Sequence, residues 1–278
     1  MKRCLPCLFF LWLSFCIMLS PADGRSEMLT LHFIDAGEGE AILVQTPRDR
    51  TALIDCGNFI TGFRVRAYLR KRGISRLDHL IITHMHTDHY GGVFHLQDLE
   101  ILHTHDNGEK LDLSQPRFRW YNSLIRERED YASLKKGDTL SLGSVTLAVL
   151  WPEKPFTHAG RNARSLVTRL TYGAFRALFP ADVPSSVDKK LLKSKDTAPA
   201  QVLKVPHHGH DDATSEAFLS AVDPQAAVIM IDEGNINGYP ADSVLSRLSE
   251  HGIKIFQTSE HGTIVIKARR DGTWQAQE

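Results

Sequence analysis

Short apolar runs separated by turn residues dominate the chain from residue 28 onward. Loose two-residue alternation or β-branched content predicts strands at 28–34, 41–45, 51–54, 80–83, 101–104, 145–150, 202–205, 226–231, 253–257 and 263–267. Residues 165–172 and 174–179 read as a hairpin about Gly173. Helical spacing predicts helices at 61–72, 93–99, 117–131, 183–193, 214–222 and 241–251. Gly91 and Gly92 read as a tight turn that starts the second of these. His103-Thr104-His105-Asp106 runs into Asn107-Gly108, a turn signal, and reads as a loop. Strands interleaved with helices describe an α/β fold, and with no repeat or linker after residue 27, residues 28–278 read as one domain.

The first 22 residues follow a different pattern. Lys2 and Arg3 precede an apolar run over 5–19 that ends in Ser20-Pro21-Ala22. A basic start, a short apolar core and small residues before a cleavage point describe a secretory signal peptide, and the run is too short for a bilayer span. The mature chain is therefore expected outside the cytoplasm, periplasmic or secreted, with no stable membrane span. Cleavage removes Cys4, Cys7 and Cys16 and leaves only Cys56, so no intrachain disulfide can form. Cys56 then reads as a small buried residue. Cleavage also leaves 31 bases against 33 acids, which gives no global attraction to nucleic acid.

Chemistry concentrates at residues 79–92. The apolar strand Leu80-Ile81-Ile82-Thr83 ends in His84-Met85-His86-Thr87-Asp88-His89. Ionisable groups at the end of a buried strand need partners, because unpaired polar groups there are costly. His84 and His86, two apart, point the same way in extended chain and grip one ion; Asp88 and His89 face a second. Imidazole and carboxylate are ordinary zinc ligands, and two ions about 3.5–4 Å apart clamp phosphates and acyl groups. Asp182 follows the apolar hairpin as His84 follows its strand, and so suits a carboxylate bridging two ions; a helix N-cap is the other reading. Residues 202–205 end in Pro206-His207-His208-Gly209. Arg117, Phe118, Arg119, Trp120 and Tyr121 read as an amphipathic helix face, with a single-strand stacking platform as the alternative.

His84-x-His86-x-Asp88-His89 after an apolar strand resembles the signature of the metallo-β-lactamase superfamily. Phe33-Ile34-Asp35-Ala36-Gly37-Glu38-Gly39-Glu40-Ala41-Ile42-Leu43 is similar to the opening of its ComEC-type competence-protein branch, and Leu53 to Gly57, Asn162-x-x-Ser165, Leu203 to Gly209 and Asn235-x-x-Gly238-x-Pro240 follow in the same order. The resemblance implies a four-layer αβ/βα sandwich with two divalent ions at one edge, zinc first and manganese as the alternative. It implies His84 and His86 on the first ion, Asp88 and His89 on the second, Asp182 between them, and His207 completing the second site with His208 as its close alternative. Asn162 stands where relatives place a histidine, so Asn162 and His208 are further candidates for metal or substrate. Asp55 is implied as a support behind the ligands, with Asp35 and Glu40 flanking the same edge. Ala181 replaces a glycine, His210 a small residue and Tyr239 a histidine.

The function this implies is an exported hydrolase in which a hydroxide generated on the metals attacks a phosphodiester, DNA or another, with Asp88 or Asp182 accepting a proton. Hydrolysis of a β-lactam, lactone or thioester is a second reading, which Asn162 disfavours. A non-catalytic secreted metal-binding protein is the third.

Overall fold

The computed structural model describes residues 28–156, 160–193 and 199–277; the signal-peptide reading of 1–22 lies outside them. In chain order, the first sheet takes β1 (Leu29–Phe33), β2 (Ile42–Gln45), β3 (Thr51–Ile54), β4 (Arg76–Ile82), β5 (Glu100–Asp106) and β6 (Tyr131–Ser133). The second takes β7 (Thr139–Leu142), β8 (Val145–Trp151), β9 (Val167–Tyr172), β10 (Phe175–Phe179), β11 (Val202–Lys204), β12 (Ala226–Ile229) and β13 (Lys254–Gln257). The chain then returns to the first sheet through β14 (Ile264–Ala268) and β15 (Trp274–Gln277). Strand order is β15-β14-β1-β2-β3-β4-β5-β6 in one sheet and β13-β12-β11-β10-β9-β8-β7 in the other.

The central strands of both sheets are covered on both faces, which explains why β2 and β12 are apolar on both. Ile42 and Val44 of β2 join the core between the sheets, whereas Leu43 faces the outer layer with Val65 and Leu69 of α1 (Gly62–Lys71). In β12, Ala226 and Val228 point inward, while Ala227 and Ile229 pack outward. That outer layer includes α4 (Ser185–Lys193), α5 (Glu216–Val222) and α6 (Asp242–Glu250). The result is the expected αβ/βα sandwich. Among the described residues no helix is long and apolar enough to cross a membrane.

Parallel pairing decides where the chemistry collects. Strands β3 to β6 run parallel, as do β10 to β13. The segments after β3, β4, β10 and β11 meet at one edge of the sandwich and carry Asp55, His84 to His89, Asp182, and His207 with His208.

Three local expectations are corrected. No helix forms over 93–99: a single turn, α2 (Thr87–Tyr90), is followed by the 3₁₀ turn Gly91–His95. Gly91 and Gly92 are needed there for proximity rather than for turning. A Cβ on Gly92 would sit 1.7 Å from the Cys56 carbonyl oxygen, so only glycine lets the two segments touch. The expected loop at 103–106 is the end of β5, because its register with β4 (His79 opposite His103, Ile81 opposite His105) carries pairing up to the Asn107-Gly108 turn. The expected helix over 117–131 is α3 (Pro116–Tyr121) with a π turn, Asn122–Arg126, and Tyr131 starts β6. Its shortness follows from Asp106, whose carboxylate accepts from Tyr121 Oη, Arg126 Nε and Tyr131 Oη at 2.7–2.9 Å and fastens the segment to the sheet.

Candidate metal centre

Asp55 organises the first half of the centre. It leaves β3 in the left-handed region (φ 57°) and turns its carboxylate toward the end of β4. Its Oδ1 accepts from the Thr83 backbone N–H at 2.8 Å, and its Oδ2 accepts from Thr83 Oγ1 and His89 Nδ1, each at 2.7 Å. With Nδ1 so engaged, His89 presents Nε2 to the centre. His84 is set in the same way one step removed: its Nδ1 lies 3.1 Å from Thr83 Oγ1, leaving Nε2 to face inward. The single turn of α2 places Asp88 and His89 side by side below it. Gly39 lets the loop after β1 close over this turn, since a Cβ there would lie 2.5 Å from the Asp88 carbonyl oxygen and its φ is +143°.

The second sheet supplies the other half. Ala181 adopts φ 50°, a left-handed conformation that favours glycine, and so directs Asp182 across the gap. Helix α4 begins only at Ser185, so Asp182 is free of an N-cap role. His207 and His208 are both left-handed (φ 50° and 54°), two adjacent strained residues at the centre. This double turn sends His208 inward, with Nδ1 donating to the Met230 carbonyl at 2.7 Å and Nε2 buried without a hydrogen-bond partner. His207 goes to the rim, where its Nε2 meets Asn162 Nδ2 at 3.1 Å.

The donors fall into two groups that share Asp182. In the first, His84 Nε2 lies 3.1 Å from His86 Nδ1 and 3.8 Å from Asp182 Oδ2. In the second, Asp182 Oδ2 lies 3.0 Å from His89 Nε2 and 3.7 Å from His208 Nε2, and Asp88 Oδ2 lies 3.5 Å and 3.4 Å from the same two nitrogens. Two nitrogens on one tetrahedral zinc, each ~2.05 Å away, stand ~3.3 Å apart. The His84–His86 spacing is close to that, and two inward-facing ring nitrogens at this distance want a cation between them. Asn162 Oδ1, also buried and without a hydrogen-bond partner, is a further donor.

Charge agrees with geometry. Burial, helped by neighbouring His89, holds His84 well below its ordinary pKa, and burial lowers His86 too. Burial also works against charge on His89, yet Asp182, Asp88 and Asp55 together lift it well above its ordinary value. His208 is raised against burial by Asp182 and Asp88. The carboxylates thus demand positive charge at this point.

The structure places His208, not His207, in the second group, and the double left-handed turn is the reason. It does not bring Asp35 to the donors: its Oδ1 accepts from Gly37 N at 3.0 Å and faces Arg64 at 3.6 Å. Of the aromatics in 117–121, Phe118 and Tyr121 are buried and Trp120 alone is exposed, as an amphipathic face requires. Beneath the centre, Glu40, expected to flank this edge, meets a partner absent from the sequence reading. Lys204, fully buried, forms an ion pair with Glu40, bonds the Ala181 carbonyl at 3.1 Å, and lies 3.5 Å from Asp182 Oδ1. A lysine inside the apolar run Val202 to Val205 was its signal, since a charge buried there must be paired.

Comparison with known proteins decides the family. The family model described as the metallo-beta-lactamase superfamily matches residues 34–231. The chain belongs to the metallo-beta-lactamase superfamily. Within the superfamily it is similar to the competence branch: ComE operon protein 3 of Bacillus subtilis (strain 168) is 29% identical, over 98% of this chain and 36% of that protein. Competence protein ComA of Neisseria gonorrhoeae is 27% identical, over 86% of this chain and 32% of its own length. The chain thus spans about a third of these curated relatives. Among solved structures, the metallo-beta-lactamase fold protein YhfI from Bacillus subtilis superposes with a TM-score of 0.53 at 13% identity, covering 83% of this chain and 96% of that one. That last likeness concerns the fold alone. Superfamily hydrolases work with divalent metal ions, and the two His/Asp groups provide donors for them.

Proposed function

We propose that this protein is a binuclear metal-dependent phosphodiesterase acting on DNA or another phosphodiester. The observation that carries the reading is Asp182 Oδ2, a single buried oxygen within 3.8 Å of His84, His89 and His208 and shared by both donor groups. His84, His86 and Asp182, with Asn162 at their side, would hold one ion; Asp88, His89, His208 and Asp182 would hold the other. Imidazole-rich donors suit zinc, with manganese as the alternative. When bound, such a pair supplies Lewis-acid polarisation of the scissile oxygen and lowers the pKa of a water.

The remaining work falls to this chain's own groups. Burial would raise Asp88, but His89 and His208 hold its carboxyl well below the usual carboxylate range. It is therefore ionised at neutral pH and opens into the pocket, where its oxygen would accept a hydrogen bond from the attacking water and hold it in line. Asp55 fixes the ring of His89 directly and that of His84 through Thr83. Arg161, partly exposed, pairs with the buried carboxylate of Glu109 at 3.3 Å, and its guanidinium lies over the Phe118 ring that Arg117 also covers. The basic and apolar pattern of residues 1–22 supports export to the periplasm or beyond.

The test is hydrolysis of bis-p-nitrophenyl phosphate, plasmid DNA and nitrocefin by purified protein, each with and without chelator. Chelator-sensitive cleavage of the phosphodiesters with nitrocefin untouched is expected. Nitrocefin turnover alone would move the substrate to acyl compounds, and a full metal load with nothing cleaved would make the protein a non-catalytic binder.

A further inference from the structure

We infer that the Tyr239 hydroxyl donates a hydrogen bond to a non-bridging oxygen of the substrate. Tyr239 lines the pocket that opens onto Asp88 and Asp182. Asp232 and Glu38 line it too, and an anionic substrate approaches so many carboxylates only where ions or hydrogen-bond donors meet its oxygens. The side-chain amides there are already engaged. Asn162 Nδ2 donates to His207 Nε2 at 3.1 Å, Asn237 Nδ2 to Glu38 Oε1 at 2.7 Å, and Asn235 Nδ2 to the Tyr239 carbonyl. Among the imidazoles, His86 and His208 face the two donor groups, and His207 lies between Asn162 and Asp212. The Tyr239 hydroxyl has no hydrogen-bond partner among the described residues.

Packing and charge both place that hydroxyl. The ring lies against those of His210 and His207, with centroids 5.2 and 6.0 Å apart. Burial first, then Asp212, Asp182, Asp211 and Asp88, push the phenol above its ordinary pKa, so its oxygen lies within reach of the centre's own carboxylates. A neutral O–H suits such a position, because it offers a donor without adding another negative charge.

The backbone fixes the position. Pro240 packs on Gly209, where a Cβ would lie 2.6 Å from Pro240 Cβ and φ is +85°, so only glycine allows the contact. Ala241 N donates to the Gly209 carbonyl at 2.9 Å. Gly209 directly follows His208, so the turn that delivers this ligand also carries Tyr239. A donor fastened to the ligand turn keeps its aim as substrate enters, as a group that acts on a reacting oxygen must. That the oxygen belongs to a phosphodiester rests on the proposed function; that Tyr239 meets a substrate oxygen does not.

Tyr239→Phe and Tyr239→His in the zinc-loaded full chain test the inference. Phenylalanine keeps the ring and its packing, so an unchanged melting temperature is expected and separates the hydroxyl from a structural role. Calorimetric titration with vanadate, an oxyanion that mimics a phosphoryl group under attack, gives a readout independent of turnover. Tyr239→Phe should bind it about tenfold more weakly than the wild type, and Tyr239→His, which restores an N–H, should recover part of the loss. For bis-p-nitrophenyl phosphate, kcat/KM should fall by about 10–100-fold in Tyr239→Phe, less than for a fully buried oxyanion donor because water takes part of its place. Equal vanadate affinity in the wild type and Tyr239→Phe would overturn the inference, and so would vanadate that binds neither. Failure of the phosphodiester reading would look different: vanadate affinity would still depend on the hydroxyl while bis-p-nitrophenyl phosphate stayed intact.

Discussion

Asp55 shows how much one side chain can set. Three donors converge on its two oxygens, and two ligand rings take their orientation from it. Asp55→Asn keeps the shape but opposes an N–H₂ group to at least one of those donors. Outer hydrogen bonds of this kind typically govern metal affinity by about 10–100-fold, and the variant should weaken zinc binding by that much. Competition against a chromophoric chelator measures it; unchanged affinity would mean that packing alone orients His89. The cluster of His84, His86, Asp88 and His89 was legible because its geometry is local: period two along extended chain, then one helical turn. The choice between His207 and His208 was not, since it depends on two left-handed residues at positions where the sequence carries no glycine. Asp35 misled for a related reason, as a short carboxylate next to Gly37 bonds its own turn before it reaches anything distant.

Between the sheets, Lys204 on β11 and Glu40 ahead of β2 form a buried ion pair that ties the two halves together under Asp182. Removing one partner strands the other's charge, so Lys204→Met should cost about 3–5 kcal/mol. Pairing it with Glu40→Leu should recover most of that loss, and urea unfolding of the single and double variants reads the cycle. A second element contact makes stability depend on pH. His32 of β1 hydrogen-bonds Tyr68 of α1 at 2.8 Å, and burial, aided by Arg72, lowers its pKa to about 4. The unfolded chain, with an ordinary histidine near 6.5, then binds the proton first. The contribution is complete above about pH 6.5 and is lost as pH falls toward 4, a loss of about 3 kcal/mol. His32→Gln should remove about 2 kcal/mol of the difference in unfolding free energy between pH 7 and 4.5, read by urea unfolding at the two pH values. Most strands were readable as apolar or β-branched runs; β6, β7 and β15 were not, because these short edge strands are largely exposed and carry no such run. Helices were readable only where neighbours left them room: Asp106 and the close approach at Gly92 truncate segments whose own spacing is helical.

The sandwich has a seam, and the centre lies across it. His84, His86, Asp88 and His89 come from the end of the first sheet, Asp182 and His208 from the end of the second. Ions held by both groups would therefore act as fasteners between sheets, adding stability only to the folded chain, because no unfolded ensemble presents donors from both ends together. At free zinc about a thousandfold above the dissociation constant, this linkage supplies about 4 kcal/mol. For a chain of this size each kcal/mol moves the melting temperature by about 2–4 °C, so chelation should lower it by roughly 8–16 °C. Differential scanning calorimetry with and without chelator measures the shift. His84→Ala should reduce it only in part, because the second group keeps all four of its donors and still joins the sheets. A melting temperature indifferent to chelator would show that the two strand ends meet without an ion to join them.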